Sequence, residues 1–81
     1  MNSGKSLAGE EATLQYFQGE YHVVKRGGFV ICAVSGAKVS INDLKYWSAD
    51  LQEPYATAQI AAQRYADWQA GKVTAPEGMS K

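Results

Sequence analysis

The chain has 81 residues, eight of them basic and eight acidic, so no overall field draws it toward nucleic acid or an anionic membrane and any such contact must come from a local patch. Cys32 is the single cysteine, which excludes an intrachain disulfide and fits a reducing compartment. The longest apolar run, residues 29–34, is too short to span a bilayer, and residues 1–11 hold no continuous apolar stretch of secretory type, so a cytoplasmic protein without membrane contact is expected.

Residues 1–11 and 72–81 are rich in Gly, Ser, Lys and Glu and are expected to be disordered tails on one domain at 12–71. A domain of about 60 residues buries only about 60% of the surface its unfolded chain exposes, so it has to pack tightly or pair with a partner. In residues 12–17, Leu14 and Tyr16 alternate with Thr13 and Gln15, which predicts a half-buried strand. Gln18-Gly19-Glu20 predicts a hairpin turn, and residues 21–25 the return strand. Arg26-Gly27-Gly28 reads as a tight turn whose glycines take positive φ. Residues 29–34 are apolar on both faces and predict a third strand covered on each side. After a turn at Ser35-Gly36-Ala37-Lys38, Val39 and Ile41 alternate with Ser40 and Asn42, as a short fourth strand or the lead-in to a helical turn at Asn42-Asp43-Leu44. The aromatics of residues 45–53 favour extended structure.

From Thr57 the period changes to that of a helix. Thr57 is the expected N-cap, Pro54 discourages an earlier start, and Gly71 suits the left-handed position after the last turn. Ala58, Ala61, Ala62, Tyr65 and Trp68 fall on one face, with Gln59, Gln63 and Asp67 opposite. The fold class expected is therefore α+β: a small antiparallel sheet of three to four strands with one C-terminal helix packed on it. Tyr65 and Trp68 would seal the sheet, so Trp68→Ala is expected to unfold or badly weaken the domain.

Cys32 and His22 are the only thiol and the only imidazole, and neighbouring strands would be needed to bring them together as nucleophile and base. The competing reading is a buried, inert thiol, since Cys32 sits in the most apolar run. Ser35, Ser40 and Ser48 lie in no Gly-x-Ser-x-Gly elbow. Cys32-Ala33-Val34-Ser35-Gly36 has the outline of a zinc knuckle with serine for the second thiolate, but Cys32 and His22 fall short of the four ligands that structural zinc takes. No catalytic residue, metal or cofactor is expected.

Two surfaces remain. Lys25-Arg26-Gly27-Gly28-Phe29, with Lys38, places cations and glycine N–H groups beside an aromatic ring, a pattern for RNA, single-stranded DNA or another anion. Tyr46-Trp47-Ser48 and Tyr55 form the densest aromatic segment outside the sheet and helix, either a lid on the core or the contact surface for a protein partner or a second copy. The second surface predicts a non-enzymatic binding or accessory module.

Taken together, Phe29-Val30-x-Cys32-Ala33-Val34-Ser35-Gly36, Leu44-Lys45-Tyr46-Trp47-Ser48 and Gln52-Glu53-x-Tyr55 resemble a family of short bacterial proteins known as a domain of unknown function. In that family a Cys-Ala-Val-Thr/Ser-Gly turn precedes Tyr-Trp-Ser and Gln-Glu-x-Tyr stretches. The resemblance covers about residues 12–66 and implies a bacterial cytoplasmic protein, with no reaction, ligand or catalytic residue to carry over.

Overall fold

The computed structural model describes residues 9–74, so of the expected tails only 9–11 and 72–74 fall within the described residues. The elements in chain order are β1 (Thr13–Phe17), β2 (Glu20–Lys25), β3 (Phe29–Ile31), β4 (Lys38–Ser40), a 3-10 turn (Ile41–Asp43), β5 (Tyr46–Ser48), β6 (Glu53–Tyr55) and α1 (Ala58–Gln69). The fold is α+β with antiparallel pairing throughout the strands. Those strands form three separate ribbons, β1-β2, β3-β4 and β5-β6, where the sequence predicts one sheet.

The division has a local cause. The edge of β3 that β2 would need is taken by the segment before β1: Ala12 N–H donates to Phe29 O at 2.7 Å, Gly28 N–H donates to Glu10 O at 2.9 Å, and Glu11 bridges Phe29 in parallel. The backbone of residues 10–12 is therefore bonded to residues 28–29. Gly27 is what lets the chain pass. A Cβ there would sit 2.6 Å from Glu10 O, a distance no real side chain tolerates. Gly27 thus serves close backbone approach, whereas positive φ among the glycines of the described residues is found at Gly19, Gly36 and Gly71.

The third strand is also shorter than its apolar run. It ends at Ile31 because the chain turns at Cys32, where Cys32 N–H donates to Ala37 O at 2.9 Å and Gly36 N–H donates back to Cys32 O at 3.0 Å. Ala33 N–H then donates to Pro54 O at 3.0 Å, docking this turn on β6. The core gathers one or two residues from each ribbon and connection: Ala12, Tyr16, Val30, Cys32, Val39 and Leu44, with Leu51 and Tyr55 also buried.

The helix begins and ends on the expected signals. Thr57 Oγ1 accepts from Ile60 N–H at 3.1 Å. At the other end Gly71 has φ +81°, Gly71 N–H donates to Trp68 O at 3.0 Å and Lys72 N–H donates to Asp67 O at 2.8 Å, a complete Schellman closure. Its buried face differs from the expected one. Ile60, Ala61, Arg64, Asp67 and Trp68 are half-buried, Tyr65 is 60% exposed, and no residue of α1 is fully buried. The reason is an ion pair: Arg64 Nε and Nη2 donate to Glu53 Oε2 and Oε1 at 2.6 and 3.3 Å, which rotates the Arg64 face toward β6 and turns Tyr65 outward. Among the described residues no helix is long and apolar enough to cross a membrane.

Candidate functional site

The aromatic segment at 46–55 is first of all a lock. The two-residue turn between β1 and β2 pairs Phe17 with Glu20 and Tyr16 with Tyr21, so the N–H and C=O of Tyr16 point away from β2. The side chain of Gln52 satisfies both. Its Oε1 accepts from Tyr16 N–H at 3.0 Å, and its Nε2 donates to Tyr16 O at 2.6 Å and to Ala49 O at 2.8 Å. Gln52 reaches this position from a left-handed backbone, φ +56°, which a non-glycine residue adopts only when its surroundings hold it there. One residue along β1, Phe17 O accepts from Trp47 Nε1–H at 2.8 Å. The Trp47 ring meets Tyr21 edge-on at 5.4 Å and Tyr16 at 6.2 Å.

Tyr55 and Glu53 extend the lock to the helix. Tyr55 OH donates to Glu53 Oε2 at 2.8 Å, the same oxygen that Arg64 Nε contacts. The hydrogen bond to Glu53 raises the Arg64 pKa, and burial followed by the Glu53 acceptor drives the Tyr55 phenol well above its ordinary range. Burial, then Glu11 and Tyr21, pushes Tyr16 up to about 12. Tyr55 is only 3% exposed, so it is removed from the proposed contact surface, being core rather than lid edge. Trp47 is half-buried and Tyr46 is 37% exposed; these two remain on the surface side.

Beside the lock lies a groove of about 230 Å³, walled by the β1-β2 turn, the β5-β6 turn and α1. Phe17, Trp47, Tyr65 and Trp68 present rings to it, and Asp50 is its only charged side chain. Tyr65 and Trp68 lie 5.9 Å apart at 60°. Helical periodicity places Tyr65 and Trp68 on the sheet face, and no local pattern marks Phe17 or Asp50. A signal was present: the other residues on that helical face are alanines, too small to hold two large rings against a flat sheet.

The basic pattern is dispersed. Lys25 and Arg26 are exposed at the end of β2, while Lys38 lies on β4 in another ribbon with its Nζ 4.7 Å from the centre of the Phe29 ring. The ring that would stack on a base is therefore covered by a cation. The Gly28 N–H that would cradle an anion already donates to Glu10 O.

Cys32 and His22 do not form a pair. His22 is exposed on β2, 3.3 Å from Glu20 Oε2 with its ring tilted against Phe17 at 4.6 Å, whereas Cys32 is 1% exposed. Burial pushes the Cys32 thiol up, but hydrogen bonds from Ser35, side chain and backbone, and from the backbone of Val34 and Ala56 more than offset it and bring it down to about 7. The Ser35 N–H lies 3.4 Å from Cys32 Sγ. Ser35, Ser40 and Ser48 each accept from a backbone N–H two or three residues on, so their hydroxyls belong to local turns. Among the described residues no three His, Cys, Asp or Glu side chains converge as metal ligands.

A protein-family model described as an uncharacterized protein conserved in bacteria (DUF2093) matches residues 23–64, just over half of the chain. The matched segment contains Trp47, Asp50, Gln52, Glu53, Tyr55 and Arg64 and stops before Tyr65 and Trp68. No curated protein and no solved structure matches the chain.

Proposed function

The chain belongs to this bacterial family of uncharacterized proteins, and we propose that it is a small non-enzymatic binding module that acts through protein-protein contacts at the aromatic groove. The observation that carries the reading is the groove itself: in a domain short of core material, Tyr65 is left 60% exposed and Trp68 half-buried around an open concavity. Rigid amphipathic rings around a concave site are the usual anchors of protein interfaces. The contact surface thus comprises Tyr46, Trp47 and the groove rings, with Tyr55 supporting it from within. The free Cys32 thiol supports a reducing compartment, and we place the protein in the cytoplasm on that ground. Binding of RNA or single-stranded DNA through Lys25, Arg26 and Lys38 has less support, because Lys38 covers Phe29 and lies on a different ribbon from the other two.

The test is site-specific cross-linking in bacterial cells. A photoreactive amino acid at Tyr65 should give a discrete adduct, to a partner protein or a second copy, that the same probe at Val24 on the exposed β2 surface does not give. Equal labelling from both positions, or none from position 65, would refute the groove as the contact site.

A further inference from the structure

We propose that the groove binds a cationic side chain, an arginine or lysine presented by a basic peptide segment of the partner. The proposal rests on reading the groove as the contact site and adds the chemistry of its occupant. Phe17, Trp47, Tyr65 and Trp68 line one concavity, and aromatic faces carry the negative lobe of a quadrupole that attracts a cation within about 6 Å of the ring centre. Asp50 supplies the only formal charge in the lining, and among the described residues it has no ion-pair partner. An anion would meet that carboxylate directly. A neutral apolar occupant would strip water from Asp50 and offer nothing in return, a cost of the kind that excludes unpaired charge from dry sites.

Size and surroundings narrow the occupant further. At about 230 Å³ the groove is smaller than the roughly 300–1,000 Å³ of drug-sized pockets and suits one long side chain lying over the rings with its charged end at Asp50. Arginine fits best, since its planar guanidinium can stack on a ring and still donate to a carboxylate. Lys45 lines an adjoining depression with Tyr46, which shares Gly19, Trp47 and Ala61 with the groove. That cation repels a second basic residue on its side and directs the peptide's charge toward Asp50.

The experiment uses the intact protein and a capped pentapeptide, Gly-Gly-Arg-Gly-Gly, with the indole N–H signals of Trp47 and Trp68 followed by NMR. The arginine peptide should shift both signals saturably. A citrulline peptide of the same shape, or the Asp50→Asn protein, should bind at least tenfold more weakly, and Lys45→Ala should bind the arginine peptide more tightly. Asp50 is exposed, and an unchanged spectrum of unliganded Asp50→Asn will establish that its fold is intact. Equal affinity for arginine and citrulline peptides, tighter binding of an acidic peptide, or no shift with the arginine peptide would overturn the cationic occupant. If a discrete adduct still forms from position 65 in cells after such a result, the groove stands as a contact site and only its chemistry is wrong. Loss of both results removes both.

Discussion

Two tryptophans of this chain sit about twenty residues apart and have opposite structural roles. Trp47 is anchored: its indole N–H is held by Phe17 O, and its ring is packed against Tyr16 and Tyr21. Trp68 is flanked by Tyr65 and an open groove, on a helix of which no residue is fully buried. The contrast shows that a large ring in a small domain is structural where its polar atom is consumed, even when, as at Trp47, part of it still borders the groove. By that criterion the stability of the domain resides in the β5-β6 lock and the proposed recognition surface lies on the helix, the reverse of the arrangement that helical periodicity predicts.

The largest effect that tests this contrast is Trp47→Ala. Truncating a packed tryptophan ring typically costs about 3–5 kcal/mol, and here a hydrogen bond to the β1 edge goes with it. For a domain of this size that loss is comparable to the whole stability, so the expected outcome is a chain unfolded, or nearly so, at 25 °C by circular dichroism. A cooperative melt near that of the wild type would mean that Trp47 is a surface residue after all.

Next comes Gln52→Ala, which should cost about 2–3 kcal/mol by leaving the N–H and C=O of Tyr16 without their partners in a part-buried site. Gln52→Gly separates the two contributions, because glycine relieves the left-handed backbone while still losing the amide. It should fall between the alanine variant and the wild type in urea denaturation. A glycine variant no better than alanine would show that the backbone at φ +56° stores no strain.

These variants also mark what the sequence could and could not disclose. The turn at Gln18-Gly19, the Thr57 cap and the Gly71 closure are local events, written in residues that contact their own neighbours, and each is found where the sequence places it. The Gln52–Tyr16 pairing spans 36 residues, and nothing in either local pattern encodes it. Gly27 was legible as a necessary glycine but not for the right reason, since the backbone that crowds it comes from residues 10–12. The face of α1 differs from the expected one because a 3.6-residue count scores Arg64 as polar and therefore outward, whereas its partner Glu53 is brought in by another hairpin. The Tyr46–Trp47 half of the proposed contact surface is visible as aromatic density; Asp50 is not, because an acidic residue acquires meaning only from the rings that the fold assembles around it.

The buried thiol gives a pH test of the lock's far side, where the Cys32 turn docks on β6. With Cys32 brought down to about 7 in the folded chain and an ordinary thiol near 8.5 when unfolded, the thiolate favours the folded state. That contribution is complete above about pH 8.5 and is lost as pH falls through about 7. Stability should therefore rise by about 2 kcal/mol between pH 6.5 and 9, and Cys32→Ala, whatever its absolute stability, should show a flatter slope over the same range. An unchanged slope in the variant would assign the pH dependence elsewhere.

The smallest expected effect is the most discriminating. Trp68→Ala removes the residue that helical periodicity puts at the centre of the core, yet in the structure its ring borders an open groove and makes no polar contact among the described residues. Its cost should stay below about 1 kcal/mol in chemical denaturation, in the range of surface substitutions, because part of the ring is already in water and the helix keeps its Thr57 cap, its Schellman closure and the Arg64–Glu53 pair. The same variant should lose groove-dependent cross-linking from position 65. If instead Trp68→Ala unfolds the domain as readily as Trp47→Ala, the two tryptophans are equivalent core residues, and the groove between them is a packing defect with no claim on a partner.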